Sequence, residues 1–126
     1  MLSIAIYTTN DISQLRSMIQ DFLIESKIMA KVSVFNDTES FLTVLSAYDI
    51  YILDMDCEEN TIALGKQKME TDVGSHFIYI SADCGNAYKA TKIRADYFLS
   101  VPIEKEEFFE IMKEIRTEIR DDAIII

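Results

Sequence analysis

Chemistry-bearing residues stand where three apolar runs stop. Leu2 to Tyr7 (LSIAIY) gives way to Thr8, Thr9, Asn10 and Asp11, Ile50 to Leu53 (IYIL) to Asp54, and Phe77 to Ile80 to Ser81. Beyond Asp54 the carboxylates of Asp56, Glu58 and Glu59 make an acidic loop. Carboxylates suit a hard cation and hydroxyls suit hydrogen bonding to a ligand. The neutral Thr8 and Thr9 are poor cation ligands beside any carboxylate. His76 is the one histidine and has no Cys or His companion at ligand spacing, so it reads as a strand-edge or surface residue and zinc is not expected. Cys57 and Cys84 read as two free thiols of a reducing compartment.

The elements that must hold these residues alternate. Leu2 to Tyr7 is a strand. A helix follows from Asp11, with Ile12, Leu15, Ile19, Phe22 and Leu23 on one side and Asp11 and Gln14 at capping-box spacing. Val32 to Phe35 is a second strand, and Asn36 or Asp37 caps a short helix carrying Phe41, Leu42 and Leu45. The third strand, Ile50 to Leu53, ends in Asp54 and is followed by a helix from Thr61 to about Met69. Phe77 to Ile80 is the fourth strand, residues 84 to 93 a helix with Ala87, Ala90 and Ile93 on one face, and Tyr97 to Leu99 a fifth strand stopped by Pro102. The last helix carries Phe108, Ile111, Met112, Ile115 and Ile119, with Glu104, Glu106 and Glu107 at its positive end.

Five strands alternating with five helices through short connections require right-handed crossovers. The fold class is therefore α/β, a doubly wound parallel sheet covered on both faces. Ligand chemistry in such sheets collects at the carboxyl ends of the strands, where Asp54 and Ser81 fall. With 126 residues and 49% hydrophobic content the chain reads as one domain with a real core. Three glycines and one proline leave no linker-like stretch. The formal charge of −10 repels phosphate backbones, so this segment is not expected to bind DNA itself. No apolar run reaches membrane-spanning length, and the expected place is the cytoplasm.

Taken in order, IAIY, VFNDTESFL, YDIYILD, FIYISA and ADYFLSVPIEKEEF resemble the receiver domain of bacterial two-component response regulators, and more closely the receivers that precede LytTR-type DNA-binding domains. The resemblance covers almost the whole chain. It implies a five-stranded flavodoxin-like (βα)5 fold with strand order 2-1-3-4-5, a regulatory rather than enzymatic role, and phosphoryl transfer from a histidine kinase to Asp54. It implies Ser81 as the hydroxyl that meets the phosphoryl oxygens, Phe98 at the switching-aromatic position, and a cis bond before Pro102.

The sequence departs from that family at several positions. Thr8 and Thr9 stand where an acidic pair would hold Mg²⁺, and Val101 stands where a lysine would bind the phosphoryl group. The loop CEENTI lacks the usual Pro and Gly. Asp11 and Asp56 are the remaining candidates for a metal ligand, although Asp11 suits a helix cap better. The expectation is a pseudo-receiver with impaired Mg²⁺-dependent phosphorylation and no cofactor, acting by contact with a kinase or other signalling protein and as a homodimer. Residues 1–121 form the receiver. Residues 122–126 are a tail whose run 123–126 is strand-like, read either as the start of a DNA-binding domain, through which alone DNA would be met, or as a short disordered or partner-packed end. The alternatives are a working phosphoacceptor and, further off, a flavodoxin-like flavin enzyme whose first loop, TTND, lacks the expected glycine.

Overall fold

The computed structural model describes residues 2–44, 47–57, 61–72, 74–83, 85–92 and 96–124. In chain order the elements are β1 (Leu2–Tyr7), α1 (Ser13–Ser26), β2 (Ala30–Phe35), α2 (Thr38–Leu42), β3 (Ile50–Asp54), α3 (Thr61–Thr71), β4 (His76–Ser81), α4 (Gly85–Lys92), β5 (Tyr97–Ser100) and α5 (Lys105–Ile124). All pairings are parallel and the sheet order is β2-β1-β3-β4-β5. This is the doubly wound α/β arrangement expected from the alternation.

The period-2 pattern of the central strands sorts side chains into two chemically different layers. Ile4, Ile6, Ile50, Ile52, Ile78 and Ile80 face α1 and α5, where Phe22, Phe108 and Ile115 are fully buried against them. Ala5, Tyr7, Tyr51, Leu53, Phe77 and Tyr79 face the other way, toward Phe41 of α2, Leu64 of α3 and Ala90 of α4. Tyr51 stacks on Phe77 with ring centroids 4.9 Å apart. Phe41 of the five-residue α2 packs among these rings. Lys68 is buried in this layer, 3.7 Å from Asp72 and 5.4 Å from the Phe41 ring. Asp72 also accepts from the Tyr51 hydroxyl. Desolvation in this layer raises the pKa of Tyr51 and Tyr79 above the usual phenol value.

Asp37 as a cap and His76 at a strand edge agree with the sequence reading, while other boundaries need correction. Helix α1 starts at Ser13 with Ile12 as its cap residue, and Asp11 holds the first turn through Ser13, not Gln14. The two Ser13 bonds, the side-chain one first, lower the Asp11 pKa. Asp37 is the α2 cap, accepting from the Ser40 amide at 2.8 Å. Strand β2 begins earlier, at Ala30, and α3 runs on to Thr71. His76 opens β4 with its Nδ1 3.5 Å from Glu118 of α5. Ala123 and Ile124 continue helix α5, so the strand reading of the tail does not hold for them. Leu45, Glu58, Glu59, Cys84, Ile93 and the last two residues lie outside the described residues. Among the described residues no helix is long and apolar enough to cross a membrane.

Candidate functional site

Parallel register brings the polar strand ends to one edge of the sheet. Tyr7 pairs with Leu53 and Leu53 with Tyr79, so Thr8, Asp54 and Ile80 form the next row and Ser81 follows it. The Thr8 amide donates to the Phe35 carbonyl and the Met55 amide to the Ile80 carbonyl, which extends the ladders past the formal strands. Alternation turns Asp54 to the isoleucine face and Ser81 to the aromatic face.

Asp54 is buried, and its carboxylate is enclosed by neutral donors. Oδ2 accepts from the Thr8 hydroxyl at 2.7 Å and the Asn10 amide at 2.9 Å. Oδ1 accepts from the Asp56 backbone amide at 2.9 Å. Thr8 is oriented for this because its oxygen already accepts from the Asn10 backbone at 3.0 Å. The Asp54 carbonyl accepts from the Thr61 hydroxyl at 3.1 Å and the Cys57 thiol at 3.2 Å, which ties the start of α3 to the end of β3.

Ser81 has no exposed surface. Its hydroxyl oxygen accepts from the Asp83 amide and from the Asn86 side chain, both at 3.0 Å, and donates to Asp56 Oδ1 at 2.6 Å. The second Asp56 oxygen accepts from the Ala82 amide at 2.7 Å. Asp56 thus joins β3 to β4, while Asp54 joins β3 to the loop after β1.

Two cavities meet at this edge. One, of about 150 Å³, is lined by Asn10, Asp11, Asp54, Asp56, Ile80 and Val101 among others. The other, of about 550 Å³, lies on the α3/α4 side against Asp56, Thr61, Asp83, Asn86 and Lys89. Val101 brings an apolar side chain to the Asp54 cavity, and its amide donates to the Ser81 carbonyl at 2.9 Å. The Val101–Pro102 peptide is cis. Thr9 is exposed at the rim, and Phe98 is half-buried against the aromatic layer.

A hard cation needs oxygens that present lone pairs, carboxylates foremost. Here Thr8 and Asn10 turn donor groups toward Asp54, both Asp56 oxygens already accept from the chain, and Asp11 is committed to Ser13. This donor set does not fit Mg²⁺. Among the described residues no group of three or more His, Cys, Asp or Glu is arranged to hold a metal ion.

The strand-end reading placed Asp54 and Ser81 in one neighbourhood, and the structure brings both to one edge together with Thr8. It missed Asn86 and Thr61, whose only sequence signal is a polar residue early in a helix just beyond a site strand. It also missed that Asp56 engages Ser81, twenty-five positions away.

No protein-family model and no curated protein matches the sequence. Solved structures do resemble the fold. The receiver domain of the TMAO respiratory system response regulator TorR superposes with a TM-score of 0.75 at 19% identity, over 94% of this chain and 98% of that one. A response regulator receiver protein from Pseudoalteromonas atlantica gives 0.71 at 16% identity, over 92% and 98%. The Thermotoga maritima response regulator DrrB gives 0.73 at 18% identity, over 94% of this chain and 54% of that one. The fold is the flavodoxin-like fold of receiver domains.

Proposed function

We propose that this chain is the receiver-type module of a two-component response regulator, of the kind that precedes LytTR-type DNA-binding domains, with phosphorylation at Asp54 impaired. It works in the cytoplasm by contact with a histidine kinase or another signalling protein, and regulates transcription through a DNA-binding partner domain. Tyr88 on α4, two-thirds exposed, gives the α4–β5–α5 side an aromatic surface for a homodimer.

The observation that carries the impairment is that Asp54 Oδ2 accepts from both Thr8 and Asn10 and Oδ1 from the Asp56 amide, all neutral donors, while apolar Val101 lines the same cavity. Attack on a phosphoryl group by this carboxylate would compete with those bonds. It would also proceed without an ammonium or a carboxylate-held cation to absorb the transferred charge. Losing one preorganised electrostatic stabiliser costs about 10²- to 10³-fold in rate, and two such losses compound.

The second reading, a working phosphoacceptor, is favoured by Asp54 and Ser81 reaching the same sheet edge. Incubation with an acyl phosphate and Mg²⁺ followed by intact-mass measurement separates the two. The expected result is unchanged mass. A phosphoryl adduct that disappears in Asp54→Asn would overturn the impairment and restore the ordinary mechanism.

A further inference from the structure

The Ser81 hydroxyl has one proton, and both of its acceptor positions are taken by the Asp83 amide and the Asn86 side chain. It can therefore act only as a donor toward the site, and its acceptor is Asp56 Oδ1 at 2.6 Å. Next to it the Ala82 amide points at the other oxygen of the same carboxylate, at 2.7 Å. A hydroxyl and a backbone amide converging on two oxygens of one group make a small oxyanion receptor, with Ser81 buried and Asp56 and Ala82 exposed at its mouth. Asp56 is also the one described residue that lines both cavities, so its carboxylate stands between Asp54 and the larger space over α4.

We propose that Asp56 is a built-in oxyanion ligand. Its carboxylate occupies the Ser81–Ala82 receptor, holds Ser81 and Ala82 in place without any added group, and closes that receptor to external oxyanions. The proposal rests on the receiver reading and deepens it, since it makes the module constitutively engaged at the point where an incoming phosphoryl group would act. The contact is intramolecular and local, because the Asp56 amide is itself fixed on Asp54 Oδ1 at 2.9 Å. Its effective concentration at the receptor therefore exceeds that of a small anion in solution.

The test is solution NMR on the full chain, read at the Ala82 and Asp83 amides. Asp56→Ala is expected to move the Ala82 amide upfield and to speed its hydrogen exchange about tenfold. Formate, a carboxylate small enough for the vacated space, should then return the Ala82 resonance saturably toward its wild-type position, while chloride at equal ionic strength does not. Wild-type protein should not respond to formate. Asp56→Asn, which keeps one acceptor oxygen, should give an intermediate shift and serves as the reading if Asp56→Ala does not fold. An Ala82 amide unmoved by both substitutions would overturn the contact. A moved amide that formate cannot restore, or a wild-type amide that formate shifts, would overturn the receptor. No phosphodonor enters the experiment, so its failure is separate from the appearance of an Asp54 adduct, which bears on the impairment of phosphorylation.

Discussion

Gly65 offers the sharpest test of how the aromatic layer supports the site. A Cβ placed on Gly65 in α3 would lie 1.6 Å from the Tyr79 hydroxyl oxygen and 2.6 Å from the ring carbon that carries it, whereas ordinary contact begins at 3.4 Å. Tyr79 has no exposed surface and lies two residues before Ser81 on β4, so it cannot swing into solvent. Gly65→Ala must therefore push the ring, and overfilling of this kind costs about 1–3 kcal/mol. It also pulls the hydroxyl from its 3.5 Å contact with the Ile62 carbonyl, leaving a buried donor at a cost of about 1–3 kcal/mol. The better helix propensity of alanine returns about 1 kcal/mol. The net expectation is a loss of about 3 kcal/mol, or about 10 °C in Tm for a chain of this length. Urea unfolding should show a lower midpoint with an unchanged slope. Tyr79→Phe removes the nearest atom, so Gly65→Ala should cost at least about 1 kcal/mol less in that background. A cost below about 0.5 kcal/mol, or one equal in both backgrounds, would refute the claim that the Tyr79 hydroxyl reserves this position for glycine.

Two more expectations concern the buried polar groups. Thr8→Val keeps the shape but removes a donor from buried Asp54, and should cost about 1.5–3 kcal/mol at neutral pH, with Thr8→Ser close to wild type. Equal urea midpoints for Thr8→Val and wild type would contradict the donor assignment. The second concerns alkaline pH. Burial raises the pKa of Tyr51, Tyr79 and Tyr97, the last to about 12 and with help from Glu114 and Glu118. The folded state thus keeps phenol protons that the unfolded chain begins to release near pH 10. The stabilisation is complete below about pH 10 and is lost as pH rises through the folded values. Urea midpoints and tyrosinate absorbance, followed upward from neutral pH, should fall and rise together above that point. A midpoint that does not fall there would exclude the burial effect.

Local pattern alone was enough to read most of the architecture. The short apolar runs IYIL and FIYI mark buried strands, the stripe Phe108, Met112, Ile115 marks α5, and side-chain direction along a strand and hydrogen bonding within a helix depend on neighbours only a few residues away. The same locality explains the misreading of Ala123 and Ile124, because β-branched residues after a charged end look like a strand when taken alone. The residue types that could carry chemistry, Asp54, Ser81 and Thr8, were legible for the same reason, since each interrupts or ends an apolar run.

What those residues do to one another was decided by tertiary structure. Asp54 meets Thr8 and Asn10 across 46 and 44 positions, and Asp56 meets Ser81 across 25, through loops whose closure follows from the register of three parallel strands. Lys68 is buried, because Asp72 one turn on and the rings of Phe41 and Tyr51 from α2 and β3 converge on it. Sequence therefore specified which groups stand at the sheet edge. Whether a carboxylate there faces a cation, a phosphoryl group or its own chain depends on hydrogen-bond directions that only the packed loops define.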